Sequence, residues 1–251
     1  MEKVLVIGSN SFSGASFIDH LLGKGIMVFG CSRSAEVATD FRIYESRNRN
    51  RNFKFLQIDL NEELPEIFKL INSERIETVC NFAAQSMVAQ SWDYPEDWMN
   101  TNVTSFNKLV SGLANVDFLE RFLHVTTPEV YGNTSGLVNE LNTFNPSTPY
   151  AVSRAAADMT VNCFHKYKNF PFIGTRASNV YGVGQQIYRI IPKTVHSILK
   201  GEKLYLDGGG LSERNFVNIT DVSTANELLL RYGELGNYYH ISGESQISIK
   251  D

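Results

Sequence analysis

The sequence predicts an α/β fold: a doubly wound parallel sheet followed by a small C-terminal annexe. Apolar, strand-like runs alternate with helix-like stretches through the first two thirds of the chain, which is the pattern of β-α-β units. These runs are continuously apolar, as expected for strands that helices cover on both faces. A glycine-containing turn also separates the first strand from the first helix, which is typical of the Rossmann type of this fold.

The elements divide the chain near residue 178. The predicted strands of the first part are Lys3–Ile7, Ile26–Cys31, Lys54–Ile58, Thr78–Phe82, Phe122–Val125 and Phe172–Ala177. Its predicted helices are Gly14–Leu22, Leu64–Ile71, Tyr94–Ala114 and Tyr150–Tyr167. The later elements are a loop at 181–184, a helix at 190–199, short strands around Leu204 and Phe216, a helix at 220–231 and a strand at Tyr238–Ile241. We therefore predict a dinucleotide-binding domain at 1–178 and a substrate-binding annexe at 179–251, at the carboxyl ends of the strands.

Composition excludes several functional classes. The 251 residues are 43% hydrophobic, enough for a sizeable core, and the net charge of −4 disfavours nucleic acid or an anionic membrane as a partner. The apolar run after Met1 is too short for a signal peptide or a membrane span. Cys31, Cys80 and Cys163 lack metal-ligand spacing, so we expect no metal site and a cytoplasmic protein.

The turn Gly8–Gly14 lies where a strand passes into a helix. Backbone N–H groups and the dipole at such a helix start can hold a pyrophosphate. Glycine is needed where the backbone meets phosphate or where helix meets strand, and Ser11 takes the place of the middle glycine. An ordinary strand-turn-helix is the alternative, but the position after the first strand favours a dinucleotide.

The end of the second strand bears on the choice of dinucleotide. An acid here usually binds a free ribose 2′-hydroxyl, whereas a 2′-phosphate needs a cation. This chain offers Arg33 between Ser32 and Ser34, with no acid before Glu36, which favours NADP over NAD. The alternative is that Arg33 is only solvated. The basic segment Arg47–Asn52 is interpreted as a solvated loop, with a lip near an anionic cofactor as the alternative.

Tyr150 and Arg154 lie on one face of a predicted helix, because they are one turn apart. A phenol must lose its proton to act as a base, and its reference pKa near 10 is too high at neutral pH. A cation one turn away favours the phenolate. Arginine supplies a permanent charge and a fork for ribose hydroxyls, although it cannot shuttle a proton.

A second reactive segment, Thr127-Pro128-Glu129, leaves a predicted strand and enters a loop. Thr127 can hydrogen bond a reacting hydroxyl, and Glu129 can act as a base. The alternative is a turn that carries a solvated acid.

In this combination and order, the motifs resemble the extended short-chain dehydrogenase/reductase superfamily, and within it the nucleotide-sugar 4,6-dehydratases that act on dTDP-glucose or GDP-mannose. The resemblance covers essentially the whole chain. Its further supporting segments are Asn81–Ser86, Thr101–Val103, Arg176–Gly182, Ile190–Pro192 and Glu213–Val217.

The resemblance implies a role for each candidate residue. The catalytic set is Thr127, Glu129, Tyr150 and Arg154. The cofactor pyrophosphate would meet Gly8, Ser11, Phe12 and Gly14, the adenosine end Ser32, Arg33, Asp59 and Leu60, and the nicotinamide side Ala83. The sugar would meet Gln85 and Ser86, and the substrate diphosphate Asn179, Arg189 and Arg214, whose guanidinium forks suit phosphate.

The implied reaction is conversion of a nucleotide hexose to its 4-keto-6-deoxy product by intramolecular hydride transfer. Pro128 stands where the dehydratases usually carry an aspartic acid, and Arg154 where the superfamily usually carries lysine. UDP-glucuronate decarboxylases carry a similar glutamate and are the nearest enzymatic alternative within the superfamily, followed by a nucleotide-sugar epimerase or reductase, whereas Pro128 and Arg154 keep a non-catalytic protein open. A non-catalytic nucleotide or cofactor sensor is the alternative of another class, and a panel of nucleotide sugars distinguishes it, because a sensor would bind and not convert.

The resemblance also implies a homodimer through a four-helix bundle. The predicted helices at 94–114 and 150–167 carry apolar residues on more than one face, including Val103, Phe106, Leu109, Val110, Ala155, Ala156 and Met159. Superfamily members usually run some tens of residues longer, so the annexe is expected to be incomplete at its C-terminus.

Overall fold

Two sheets organise the computed structural model. Their strands are β1 (Lys3–Ile7), β2 (Met27–Ser32), β3 (Phe53–Gln57), β4 (Thr78–Asn81), β5 (Arg121–Thr126), β6 (Phe172–Ala177), β7 (Asn179–Tyr181), β8 (Glu213–Asn218), β9 (Tyr238–Ile241) and β10 (Gln246–Ser248). The main sheet is 7-stranded, entirely parallel and ordered β3-β2-β1-β4-β5-β6-β9. The second sheet is 3-stranded, ordered β10-β8-β7. The strand order reverses beside β1, and this reversal opens a crevice at the carboxyl ends of β1 and β4.

Helices cover both faces of the main sheet. They are α1 (Phe12–Gly23), α2 (Leu64–Glu74), α3 (Pro95–Met99), α4 (Phe106–Leu113), α5 (Pro149–Lys168), α6 (Ile190–Lys200) and α7 (Ile219–Tyr232). A π-helical segment at Asn100–Ser105 joins α3 to α4, and 3₁₀ turns lie at Thr39–Phe41, Glu45–Asn50, Ala89–Trp92, Pro128–Tyr131 and Asp207–Gly210.

The apolar core has one half on each face of the sheet. On one face Leu5 and Phe122 pack with residues of α2, α4 and α5, among them Phe106. On the other face Val6 packs with residues of α1 and α7, among them Phe17. The predicted α/β fold with a doubly covered parallel sheet is therefore confirmed.

Three of the secondary-structure and topology predictions need correction. The single helix expected at 94–114 is divided, because its middle turn is π-helical around a buried Asn102 that bonds outside its own helix. No strand forms around Leu204, where the chain runs into a turn with Gly208 and Gly209 at φ 58° and 66°. Tyr238–Ile241 is a strand, but it extends the main sheet beside β6 instead of belonging to the annexe. The domain division near residue 178 stays a prediction.

The structure describes residues 1–50, 52–134 and 136–251, without the side chains of 48–50. In the basic segment at 47–52, residue 51 and the side chains of 48–50 therefore lie outside the described residues, so its interpretation as a solvated loop stays a prediction. Its first member, Arg47, pairs with Asp19 of α1 at 2.9 Å. None of the helices within the described ranges combines the length and the apolar character needed to cross a bilayer.

Candidate functional site

Two adjoining cavities lie at the carboxyl ends of the main strands. The larger has a volume of about 700 Å³ and extends from the glycine turn to β7 and the start of α6. The smaller, of about 300 Å³, lies between the ends of β1, β2 and β3. Ser11, Phe82 and Ala84 line both, so the two cavities form one continuous cleft with a narrow arm and a wide arm.

The glycine turn has the close contacts that its sequence predicts. Gly8 has φ +85°, and a Cβ there would lie 2.6 Å from the backbone nitrogen of Ala83. A Cβ on Gly14 would lie 2.4 Å from the Gly8 carbonyl oxygen. Glycine is required at both positions, and the turn presents the N-terminus of α1 to the cleft.

Ser11 is accommodated at the middle position because its side chain folds back on the turn. Its hydroxyl caps α1 by accepting a hydrogen bond from the Gly14 N–H at 3.0 Å, and it donates one to the Gly8 carbonyl at 2.7 Å. Serine in place of glycine therefore stabilises the turn, because both hydrogen bonds of its hydroxyl are made within the turn.

Arg33 lies beside the narrow arm of the cleft, together with Ser32, Asp59, Leu60 and Ala83. The first acid after β2, Glu36, is already engaged by Arg42 at 3.1 Å and by the Tyr44 hydroxyl at 2.9 Å. The end of β2 therefore offers the cleft a cation and hydroxyl groups, with Glu36 held by other side chains.

Tyr150 lies in the first turn of α5, whose N-terminus is capped by the Thr148 hydroxyl. It is buried at the wide arm and shares a hydrogen bond with Thr127. Burial raises the pKa of the Tyr150 phenol, and the charge of Arg154 is the largest influence in the opposite direction. The negative charge of Glu129 raises this pKa further.

Arg154 follows one turn later on α5 and is only 2% exposed. One of its terminal nitrogens, Nη2, donates to the Val125 carbonyl oxygen. The other, Nη1, is buried without a hydrogen-bond partner among the described residues. An arginine in this position brings a permanent charge close to Tyr150 and leaves one buried guanidinium nitrogen without a protein partner among the described residues.

Glu129 lies in the 3₁₀ turn that follows β5 and lines the wide arm. Thr127 caps this turn, because its hydroxyl accepts a hydrogen bond from the Glu129 N–H at 3.3 Å. Burial raises the pKa of Glu129, while the positive charges of Arg189 and Arg214 oppose that shift. The carboxyl group is thus poised near a phenol on one side and two guanidinium groups on the other.

The remaining substrate candidates are distributed around the cleft. Ser86, Asn179 and Arg189 line the wide arm, whereas Gln85 lines the narrow arm. Arg214 is exposed on β8 outside the lining, although its charge acts on Glu129. All four catalytic candidates meet at the wide arm, and the cofactor candidates follow the narrow arm and the turn between them.

The structure adds residues that sequence reasoning missed. Lining residues of the wide arm that were not predicted include Thr126, Gln185, Tyr188, Ile191 and Phe216. Thr126 has a buried hydroxyl with no partner among the described residues, and its position beside Thr127 was an available signal. Asn102 holds the Gln85 backbone through hydrogen bonds of 2.8 and 2.9 Å and bonds Ser153 of α5, which no local pattern indicates.

Comparisons with known proteins agree with this geometry. The family model of GDP-mannose 4,6 dehydratase matches residues 5–251. A dTDP-D-glucose 4,6-dehydratase of Dictyostelium discoideum is 31% identical over 273 residues, which cover 100% of this chain and 60% of that protein. The human dTDP-D-glucose 4,6-dehydratase is 31% identical over 252 residues, covering 99% of this chain and 71% of its own length. The chain thus spans less than two thirds of the Dictyostelium relative.

Solved structures extend the likeness to three dimensions. A dTDP-glucose 4,6-dehydratase from Streptomyces venezuelae with NAD bound superimposes with a TM-score of 0.87 at 26% identity, covering 98% of this chain and 77% of that one. A UDP-glucuronic acid 4-epimerase from Bacillus cereus, also with NAD, gives a TM-score of 0.89 at 26% identity, covering 99% and 80%. With these matches to its sequence and fold, the chain belongs to the GDP-mannose 4,6-dehydratase family of short-chain dehydrogenase/reductase-type, nucleotide-sugar enzymes.

Proposed function

We propose that this chain converts a nucleoside-diphosphate hexose to its 4-keto-6-deoxy product by intramolecular hydride transfer. The observation that carries the proposal is the convergence of Thr127, Glu129, Tyr150 and Arg154 on the wide arm, which continues into a narrow arm between the ends of β1, β2 and β3. Family membership supports it, because the named relatives of similar sequence are 4,6-dehydratases.

The residues of the narrow arm fit a nicotinamide dinucleotide. Gly8, Ser32 and Arg33 line this arm, so the start of the glycine turn meets hydroxyl and cationic donors there. Gly8 and Gly14 keep the turn tight, because a Cβ on either would meet the protein's own backbone. Gly8, Ser11, Phe12 and Gly14 would hold the pyrophosphate, Ser32, Arg33, Asp59 and Leu60 the adenosine, and Ala83 and Arg154 the nicotinamide end. When bound, the dinucleotide would accept the hydride from C4 and give it back at C6 after water has left, while C5 regains a proton, so that the cofactor ends the cycle oxidised.

Tyr150 and Thr127 would act on the C4 hydroxyl of the sugar. Thr127 hydrogen bonds and orients that hydroxyl, and the Tyr150 phenolate takes its proton as C4 is oxidised. Arg154 favours the phenolate against the effect of burial. The resulting ketone makes the proton on C5 acidic, which prepares the second half of the reaction.

Glu129 would then carry out the elimination. As a carboxylate it takes the C5 proton, and in the protonated form it can return that proton to the departing C6 hydroxyl, because Pro128 has none to give. Among the described residues that line the wide arm, Glu129 is the one carboxylic acid. Asn179, Arg189 and Arg214 would bind the substrate diphosphate, with Gln85 and Ser86 at the sugar.

C4 epimerisation is the second candidate, because the Bacillus cereus UDP-glucuronic acid 4-epimerase has the same fold and Pro128 removes the usual acid. Incubation of the purified chain with dTDP-glucose, GDP-mannose, UDP-glucose and UDP-glucuronic acid distinguishes the candidates by mass spectrometry. Loss of one water supports the dehydratase, and a product of unchanged mass the epimerase. Loss of carbon dioxide would indicate a decarboxylase, and binding without conversion a sensor.

The unpaired thiols Cys31, Cys80 and Cys163 support a cytoplasmic location as part of the proposal.

We expect the chain to prefer NADP over NAD, because Arg33 lies at the narrow arm while Glu36 is held by Arg42 and Tyr44. Arg33→Ala should weaken NADP binding roughly 10-fold or more and change NAD binding little, since a charged hydrogen bond contributes about 1.5–3 kcal/mol. Fluorescence titration of both cofactors measures the two dissociation constants. Arg75→Gln, at a cation outside both cavities, is the control, and equal weakening of the two cofactors by Arg33→Ala would contradict the preference.

A homodimer is also part of the proposal, but fewer exposed apolar residues support it than the sequence suggested. Phe106, Leu109 and Val110 are buried in the chain's own core. The outer face of α5 nevertheless exposes Val152 at 41% and Met159 at 59%. These two residues are two helical turns apart and lie on one face, which suits a partner helix.

Light scattering at micromolar concentration should therefore give the mass of a dimer. Met159→Arg should shift the protein to the monomer, because it places an unpaired charge on the contact face. Val195→Arg, at an apolar residue of α6 with a similar exposure of 52%, should leave the mass unchanged. A monomeric wild-type chain would refute the prediction.

A further inference from the structure

A cluster of largely buried polar groups lies outside the residues that line the cleft, between α5, β5, β6, β9 and the turn after β5. Its centre is Arg176 of β6, which is 1% exposed and is among the largest fully buried side chains of the chain. Four other elements surround it: α5 contributes Asp158, β5 contributes His124, the turn after β5 contributes Tyr131, and β9 contributes Tyr238 and His240. The roles proposed above for the reacting groups use none of these residues.

One side of the cluster is fixed to α5. Arg176 donates to Asp158 Oδ2 from Nη2 at 2.8 Å and from Nε at 3.3 Å, and His124 Nε2 lies 2.9 Å from Asp158 Oδ1. Burial alone would raise the pKa of Asp158, but the hydrogen bond from His124 and the charge of Arg176 lower it. Asp158 is one turn beyond Arg154 and two turns beyond Tyr150, on the same helix.

The other side of the cluster is fixed to the turn that carries Glu129. Arg176 Nη1 donates to the Tyr131 hydroxyl at 2.6 Å, and Tyr131 is the last residue of the Pro128–Tyr131 turn. Because its oxygen accepts this bond, the Tyr131 hydroxyl can donate its own proton to His240 Nε2, 2.9 Å away. The guanidinium also stacks on the rings of Tyr131 and Tyr238, at 5.0 and 3.9 Å from their centroids.

A buried guanidinium tolerates little displacement of its partners, because every lost hydrogen bond leaves a charge without solvation. Arg176 therefore resists movement of α5 relative to the turn after β5. These are the two elements that carry Tyr150 and Glu129, the groups assigned to opposite halves of the reaction.

We infer that Arg176 is a positioning residue that sets Glu129 relative to Tyr150, through Tyr131 on one side and Asp158 on the other. The inference rests on the proposed function as far as catalysis is concerned. Tyr131 and Asp158 are positioning residues in the same sense, because each acts through the element on which it lies.

Tyr131→Phe tests this inference, since it keeps the ring over Arg176 and removes only the hydroxyl that joins the cation to the turn. Tyr238→Phe is the matched control. Its ring also covers Arg176, and its hydroxyl is also buried in the cluster, but that hydroxyl donates to the Asp158 backbone carbonyl and makes no contact with the turn. Both variants lose one buried hydroxyl.

Two measurements are made on both variants, with whichever of dTDP-glucose, GDP-mannose and UDP-glucose the wild type converts. The first compares the rate of cofactor reduction, which reports C4 oxidation, with the rate of water loss. Tyr131→Phe should reduce water loss roughly 10- to 100-fold relative to oxidation, because small misplacements of a reacting group have effects of this size. Tyr238→Phe should leave the ratio unchanged. The second measures backbone hydrogen exchange of residues 127–134, which should become faster in Tyr131→Phe alone.

The outcomes separate the inference from the proposed function. Equal ratios and equal exchange in the two variants would overturn the positioning role while leaving the dehydratase intact. If the wild type converts no nucleotide hexose, the proposed function fails, and the exchange measurement still decides whether Tyr131 holds the turn. A loss of thermal stability shared by both variants, with no change in ratio or exchange, would show that the cluster only stabilises the fold.

Discussion

Glu129→Gln should abolish dehydration while leaving C4 oxidation in place. Glutamine keeps the size of the side chain and its hydrogen-bonding capacity but can neither take nor return a proton. Loss of a general base of this kind costs roughly 100- to 10,000-fold in rate. Water loss and deuterium incorporation at C5 from heavy water should both fall by that factor, whereas binding of the nucleotide sugar and formation of reduced cofactor should persist.

The pH dependence of the wild type should report the same group. Burial raises the pKa of Glu129, and Arg189 and Arg214 oppose the shift. The carboxylate form is needed to take the C5 proton, so elimination should rise with pH through the pKa of Glu129 and then level off. A raised pKa also brings the protonated form closer to neutral pH, which suits the return of the proton to the C6 oxygen.

Glu202→Gln provides the control for this experiment. Glu202 is exposed just beyond α6, outside the lining of the cleft, and its replacement makes the same change of charge. We expect its elimination rate to match that of the wild type. Normal turnover by Glu129→Gln would show that elimination is not run from this position.

The sequence was most informative where local pattern and geometry coincide. β1 and β6 begin and end where their apolar runs predicted, and the turn from Gly8 has the close contacts that only glycine allows. The chain beyond residue 178 was less predictable, because its strands depend on partners far away in the sequence. Leu204 has the apolar character of a strand residue but no neighbouring strand to bond, whereas Tyr238–Ile241 finds β6 and extends the main sheet.

The candidate site shows the same division. Tyr150 and Arg154 could be paired from their helical spacing, and both lie at the wide arm with Thr127 and Glu129. The cluster around Arg176 could not be predicted, because its bonds to Asp158 and Tyr131 join distant segments and no spacing rule connects them. Such contacts follow from the fold as a whole and become visible only when the sheet is assembled.

Arg154→Met should strongly slow C4 oxidation at neutral pH and move it to higher pH. Methionine keeps an unbranched stem of similar length and removes the charge that opposes the effect of burial on Tyr150. An opposite charge close to an acid changes its pKa by about 1–3 units, so the phenolate fraction at neutral pH should fall roughly 10- to 1,000-fold. The rate should rise with pH, because the phenolate becomes more abundant as pH approaches the raised pKa of Tyr150.

Arg154→Lys separates this electrostatic role from a structural one. Lysine restores a cation on the same helical face. It lacks the arginine fork, whose Nη2 donates to the Val125 carbonyl and whose Nη1 has no partner among the described residues. The rates are best measured in the Glu129→Gln background, where the reaction should stop after C4 oxidation and reduced cofactor can be followed by absorbance. Lysine should recover most of the neutral-pH rate and return the pH profile toward that of arginine.

Equal losses in the methionine and lysine variants, with no shift of the profile, would mean that Arg154 only supports the fold beneath Tyr150. Recovery by lysine alone would instead tie the activity of the phenol to the positive charge one turn away.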